Sequence, residues 1–439
     1  MKATLIPLYF RSGRDKDYDA HLGNLKSLLS EEAEILEPAA LGSRLPDADA
    51  ALFPQLVGDA YKQLKELRSV GIPLLILTSE FGTMNMWDWE IVSFLKSEKV
   101  KTLAPYNPET TKRICKALAI KRDMKRTSFL VFQDNPGEGM QASIFKRFYW
   151  WEDRCTRLIK ERFGVSLVKK SFKALGEEAK RIPDAEADRV WKSWNVKTEG
   201  LSTRAIHSAV KIYLAVKREI EKDDRVKGAG VNCLNESFHS DTTPCLAWDM
   251  LFEEKGLIWA CEADTMALLS KYLIYKSLGV PIMMSNVYPF LMGMSALKHE
   301  KIDRFPQVKG NPDNYMLVAH CGYLGVLPRP FATEWTLRPK VLGIVDENAH
   351  AMDARLPVGP VTLAKLDPTL TKMVAIEGEI EGYVQYPGSD CRNGAVIRVP
   401  DGHKLMKGLH SHHNCIMTGH VAREIGVAAE VFDLEMEVL

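Results

Sequence analysis

The feature that most constrains this chain is a change of hydrophobic period partway along it. Up to about Pro330, apolar strand-like runs alternate with amphipathic helical runs; beyond it, short alternating runs follow one another, separated by Gly, Pro and Asp. Strands separated by helices can be joined as parallel neighbours, so the first region predicts parallel sheets covered by helices on both faces. Strands that follow one another through tight turns pair antiparallel, so the last region predicts a small barrel or sandwich.

The first domain is placed at 1–125. ATLIPLYF (3–10), AEILEP (33–38), ADAALFPQLV (48–57), PLLILTSE (73–80) and VKTLAP (100–105) read as its strands, with helices near 17–29, 60–70, 87–97 and 108–121. A central α/β domain is placed at 126–328. It opens on TSFLVFQ (127–133), runs through a long charged helical stretch (143–222), and regains its rhythm with GAGVNCL (228–234), LIWACEAD (257–264), PIMMSNVYPF (281–290) and NYMLVAHCGY (314–323) as further strands of the same kind. Helices are predicted at 247–256 and 265–279. The remaining segment, 329–439, holds VLGIVDE, GPVTLAKL, KMVAIEGEIEGYVQ and GAVIRVP and is the β domain. The expected fold is two Rossmann-like parallel-sheet α/β domains followed by an antiparallel β-barrel-like domain.

Composition narrows the function classes. With 58 Lys and Arg against 57 Asp and Glu, the net charge is +1, which gives no global grip on nucleic acid or an anionic membrane. No apolar run approaches the ~18 residues of a membrane span. The opening MKATLIPLYFRSGRDKD reads as a first strand rather than a signal peptide. The eight cysteines form no C-x-x-C pair, which points to reduced thiols and a cytoplasmic location. A P-loop, a G-x-G-x-x-G after a strand and a G-x-S-x-G are all missing, so nucleotide and serine-hydrolase chemistry have no support.

Ligands of open α/β sheets sit at the carboxyl ends of strands. Four predicted strands end in groups able to bind a metal or a substrate: Asn235-Glu236, Cys261-Glu262-Ala263-Asp264, Ser285-Asn286 and His320-Cys321. Taken singly each has a plainer reading; Asp264 before TMALLSKY suits a helix N-cap, and a histidine after an apolar strand is commonly a hydrogen-bonded core residue. As parallel neighbours, the four would converge on one rim. The last domain carries five of the 11 histidines, three of them in LHSHHN (409–414). In a strand His410 and His412 would share one face and His413 the other; a solvated polar loop is the competing reading. Glu, Asn and His without a cysteine motif favour a borderline-hard divalent ion such as Mn²⁺ over structural zinc. Trp150 and Trp151, within FKRFYWWEDR, read as core or interface packing.

On CEADTMALLSKYLIYKSLGVPIMMSNVYP (261–289), LVAHC (317–321) and SHHN (411–414), the chain resembles the L-fucose isomerase and L-arabinose isomerase superfamily, from about Thr127 to His413. FQDNPGEG (132–139) resembles the turn that opens the family's second domain. The resemblance implies two flavodoxin-like domains and a C-terminal β domain. It also implies a Mn²⁺ site, with Co²⁺ or Mg²⁺ as other ions, and trimers or hexamers whose active sites are completed by a neighbouring subunit. It places ligands at Glu262, Asn286 and His320, and at His413 or else His412. Asn286, 24 residues beyond Glu262, stands where the family has a second carboxylate. An amide can ligate through its oxygen but cannot act as a base at neutral pH.

The expected activity is aldose–ketose isomerisation of a monosaccharide or derivative through a metal-stabilised enediol, with Glu262 as ligand and base and with Asp264 and Glu236 as further acid/base candidates. A metal-dependent sugar or sugar-acid epimerase or lyase, and a non-catalytic cytoplasmic sugar-binding protein, are the alternatives.

Overall fold

The structure, a computed structural model, describes residues 1–134, 143–149, 151–299, 306–340, 346–386 and 393–439. It divides into two units, Met1–Lys125 with Glu424–Leu434, and Arg126–Arg423 with Glu435–Leu439.

In the first unit, β1 (Ala3–Tyr9), β2 (Ala33–Ile35), β3 (Ala39–Ala40), β4 (Ala50–Phe53), β5 (Leu74–Ile76) and β6 (Thr102–Leu103) form one parallel sheet in the order β2-β1-β4-β5-β6, with β3 beside the end of β1. Apart from the two-residue β3, these are the predicted strands, each trimmed at its ends. Ile6, Leu8, Phe53 and Ile76 sit in the unit's core, as strands covered on both faces require.

The second unit starts with another parallel sheet. Its strands β7 (Ser128–Phe132), β8 (Ser166–Lys170), β9 (Val226–Val231) and β10 (Ile258–Ala260) lie in the order β10-β9-β7-β8. β8 lies inside the stretch 143–222 expected to be helical. SLVKK is an edge strand with no fully buried residue, so it shows no apolar face to read. The helix Thr265–Leu278 packs against both this sheet and the next layer. It is buried from Thr265 through Ile274, which is why its sequence is apolar nearly all round.

After that helix the layer changes. β11 (Ile282–Pro289) and β12 (Tyr315–Ala319) do not join the parallel sheet as predicted. The chain next forms a separate antiparallel ribbon, β13 (Glu334–Pro339) with β14 (His350–Arg355). Then come β15 (Gly359–Leu366), β16 (Lys372–Val384), β17 (Gly394–Arg398), β18 (His413–Thr418) and β19 (Glu435–Val438). Six of these strands pair antiparallel in the order β15-β18-β11-β12-β17-β16, and β16 pairs back to β15, closing a barrel. β19 adds to β16 in parallel.

The expected C-terminal antiparallel barrel is therefore present, but two of its strands come from before the expected boundary between 126–328 and 329–439. A fully buried run such as IMMSNV has the same apolar pattern in either kind of sheet, so periodicity does not distinguish them. No described helix is long and apolar enough to cross a membrane. The seven described cysteines are all free and buried.

Candidate metal centre

The site begins where β10 ends. Glu262 (φ 54°) and Ala263 (φ 53°) both take the left-handed conformation, which costs a non-glycine residue roughly 1–2 kcal/mol. The neighbourhood holds this turn in place. Trp151 Nε1 donates to the Ala263 carbonyl at 2.7 Å, and the Thr265 backbone N–H and hydroxyl both donate to the Tyr149 carbonyl, at 3.1 and 2.7 Å. Asp264 then caps the helix by accepting from Ala267 N–H at 2.8 Å.

The histidines arrive from the barrel. β18, β11 and β12 are neighbours, and their register puts His413 opposite Asn286 and Asn286 opposite Ala319. Paired residues of adjacent strands share a face, so His413 and Asn286 stand side by side. His320 follows Ala319 and opens a tight reversal in which Cys321 (φ 53°) and Gly322 (φ 84°) are both left-handed. Glu262 Oε1 lies 3.6 Å from His413 Nε2 and 3.9 Å from His320 Nε2. One ligand atom from each of the three residues lies within 4.8 Å of the others, and all three are buried. Among the described residues no fourth His, Cys, Asp or Glu joins them.

A second layer orients the first. Asp264 Oδ2 accepts from His413 Nδ1 at 3.0 Å and from the ammonium of Lys365 at 2.9 Å. A carboxylate on Nδ1 fixes the imidazole tautomer and leaves Nε2 for a ligand, an arrangement common behind metal-binding histidines. Tyr149 stacks on His413, with ring centroids 4.9 Å apart, and donates its hydroxyl to Glu262 Oε2 at 3.2 Å.

The electrostatics follow from burial set against charge. Burial alone would raise the Glu262 carboxyl, but close contact with His413 and the positive character of His413 and His320 outweigh it and hold the group down to about 2. For Asp264, burial is likewise outweighed, by the Lys365 ammonium and His413, and the carboxyl stays well below its usual range. Burial would lower His413, but its bond to Asp264 and its nearness to Glu262 raise it instead. The place of the His413 ring, between these two carboxylates, thus favours a positive charge. Burial, reinforced by the Glu262 and Asp264 charges, raises the Tyr149 phenol far above its usual value, so it stays protonated.

The residues present fit a divalent ion. Nε2 of His413, both ring nitrogens of His320 and Oδ1 of Asn286 are buried without a hydrogen-bond partner. Buried polar atoms of native proteins are nearly always paired, and a shared cation would satisfy one nitrogen of each histidine and the amide oxygen, leaving the second His320 nitrogen to another partner. Asn286 donates its amide to the Tyr288 hydroxyl at 2.9 Å, which leaves the carbonyl oxygen as its ligand atom.

Of the residues singled out in the sequence, Glu262, His320 and His413 come together, with Asn286 next to His413. His412 does not join the triad; its ring lies 4.3 Å from that of His413 and lines a neighbouring cavity. Asp264 lies behind the triad, its oxygens occupied by protein donors, which makes it a positioning residue. Glu236 is also occupied elsewhere: its two oxygens accept from Asp134 N–H, both at 3.0 Å, and one also from the Asn232 amide at 3.1 Å. Asn135–Gly139 of the FQDNPGEG turn, and Trp150, lie outside the described residues. Trp151 is in the core, as read. Tyr149 and Lys365 went unnoticed in the sequence. Tyr149 stood in an aromatic run, and Lys365 in an alternating strand, where neither carries a local mark of function.

A cavity of about 930 Å³ has Lys365, His412 and Phe145 among its walls, and none of the triad lines it. The chain matches no known protein-family model, and no curated protein matches it.

Proposed function

We propose that this protein is a divalent-metal enzyme that moves a proton between adjacent carbons of a sugar or sugar derivative, an aldose–ketose isomerase. The observation that carries the reading is the buried Glu262–His320–His413 triad, drawn from three distant segments, with Nε2 of both histidines unpartnered. Glu262, His320 and His413 would hold Mn²⁺, with the Asn286 carbonyl oxygen as a fourth ligand; the same nitrogen-and-oxygen set suits Co²⁺ and, less well, Mg²⁺. Such an ion, when bound, polarises a substrate carbonyl and stabilises negative charge developing on its oxygen.

The chain's own residues supply the rest. Asp264 holds His413 in one tautomer, and Lys365 holds Asp264 ionised. The protonated Tyr149 hydroxyl orients Glu262 through Oε2. Glu262, ionised at neutral pH, is the acceptor for the carbon-bound proton. Asn286 favours a second reading, metal-dependent epimerisation or aldol cleavage, because a neutral amide stands opposite His413 and no second carboxylate joins the triad among the described residues. A sugar-binding protein without catalysis has no use for the unpartnered ligand atoms.

The order β2-β1-β4-β5-β6, with the two-residue β3 set aside, supports a flavodoxin-like first unit. On the same reading the protein is cytoplasmic and a homo-oligomer, a trimer or hexamer.

The test is calorimetric titration of the metal-stripped protein with Mn²⁺, then incubation of the loaded protein with a panel of aldoses and ketoses in D₂O. We expect one equivalent of Mn²⁺ to bind, deuterium to enter C1 or C2 of one sugar by NMR, and Glu262→Gln to fold yet lose both properties. Failure to bind any divalent ion refutes the metal centre. Binding without exchange across the panel refutes the isomerase.

A further inference from the structure

The cavity beside the metal centre has an uneven charge. Arg147, from the helix Phe145–Phe148, and Arg154 and Arg157, from the helix Asp153–Phe163, line it together with Lys365, whereas Glu161 is its one lining carboxylate. Arg154 and Arg157 are three residues apart and so lie on one helix face. Arg147 and Arg154 both reach toward Glu152, each at 3.5 Å, and their side chains are 58% and 69% exposed. Arg154 also bonds the Cys155 thiol, but a guanidinium carries five N–H donors, so such contacts leave others available to a ligand. Much of the remaining wall is apolar, including Met266, Val287, Leu405 and Met406. Low-dielectric walls facing one sign of charge concentrate the field inside a cleft and strengthen each charge-assisted hydrogen bond made there.

A solvated helix face would spread such arginines over a convex surface. Here they border a concave space of about 930 Å³, roomier than an unsubstituted monosaccharide needs. The space lies one side chain away from the metal centre: none of the ligand residues lines it, but three of its wall residues contact their neighbourhood. Lys365 bonds Asp264, the His412 ring lies 4.3 Å from that of His413, and Phe145 is 5.2 Å from Tyr149.

We propose that this cavity receives an anionic substrate, a sugar or polyol bearing a phosphoryl or carboxyl group, whose charge is held by Arg147, Arg154 and Arg157 and whose carbon chain runs toward the wall of Lys365 and His412. This names the substrate class of the proposed enzyme and rests on that reading for its chemistry, but not for the binding itself. A neutral amide at Asn286 is in keeping with it, since a second carboxylate beside the ion would add negative charge next to an anionic ligand.

The test is calorimetric titration of the full-length, EDTA-treated protein at low salt with matched pairs: D-fructose against D-fructose 6-phosphate, and D-glucose against D-glucuronate. The expected result is at least tenfold tighter binding of the anionic member of one pair. That preference should shrink as salt is raised and fall at least tenfold in the Arg154→Gln/Arg157→Gln protein. Both substituted side chains are exposed, and an unchanged melting temperature would verify the fold; if the variant is unfolded, the salt dependence of the unaltered protein decides. The phosphate and carboxylate arms distinguish the two kinds of anion. Equal binding of neutral and anionic partners, a preference indifferent to salt, or an unaltered preference in the folded double variant overturns the proposal. Glu262→Gln separates the two readings: it should lose Mn²⁺ but keep the anion preference. Loss of the preference in that folded variant counts against this cavity, whereas absence of Mn²⁺ binding in the unaltered protein counts against the metal centre.

Discussion

Replacing Asp264 by Asn separates the parts this carboxylate plays. The side chain is fully buried and accepts three hydrogen bonds: from Ala267 N–H at 2.8 Å, from Lys365 at 2.9 Å and from His413 Nδ1 at 3.0 Å. An amide keeps the shape, and its oxygen can still cap the helix, so little of the ~1 kcal/mol of a cap is lost. The negative charge does go. Lys365, only 5% exposed, is left with the Ser411 hydroxyl at 3.2 Å as its partner. An ion stranded in the interior in this way costs about 3–5 kcal/mol. His413 also loses the group that fixes its tautomer, which should weaken Mn²⁺ binding about 10–100-fold. Hydrogen exchange of the Thr265–Leu278 amides, measured in EDTA, reports the local stability, and Mn²⁺ titration reports the affinity. Adding Lys365→Met removes the stranded ammonium, so the double variant should recover most of the lost protection but none of the lost affinity. Protection within about 1 kcal/mol of the unaltered protein in Asp264→Asn, or a double variant no better protected than the single, would refute the argument.

Asn286→Asp should tighten Mn²⁺ binding several-fold, because an anionic oxygen replaces a neutral one at a hard-cation site; unchanged affinity would remove Asn286 from the centre. Lys271 lies 3.3 Å over the Trp259 ring, its ammonium buried with no hydrogen-bond partner, and burial lowers it to about 7. The unfolded chain keeps that proton up to about 10.4, so between pH 7 and 10 it binds more protons than the native state, and stability rises with pH. Lys271→Met should therefore stabilise the protein at pH 7 by on the order of 3 kcal/mol and flatten that rise; a lower melting temperature contradicts this. Glu262 has the opposite sign of charge. Its native value of about 2 lies below the ~4.3 of the unfolded chain, so the stability it adds is complete above about pH 5 and is lost as pH falls toward 2. Melting curves of the metal-free protein and of Glu262→Gln should converge over that range, and parallel curves would show that Glu262 is not held ionised.

Much of the fold is local and was legible. The strands of the first unit, the helix Thr265–Leu278 and the Asp264 cap depend on apolar period and on a residue's nearest neighbours along the chain. Glu262 stood out because it follows a strand and precedes a capped helix. The barrel was legible only as a class. Alternation announces antiparallel strands, but it does not say that Ile282–Pro289 pairs with His413–Thr418, segments separated by more than a hundred residues. That pairing decides the centre. It puts Asn286 opposite His413, brings in His320 through the next strand, and selects His413 over His412, which the sequence left open. Tyr149 and Lys365 were hidden for the same reason. An aromatic residue in an aromatic run and a lysine in an alternating strand take on function only when folding removes water from them and sets them against Glu262 and Asp264. Period and capping are properties of neighbours in the chain, whereas a ligand set is a property of neighbours in space, and only the tertiary structure brings those together.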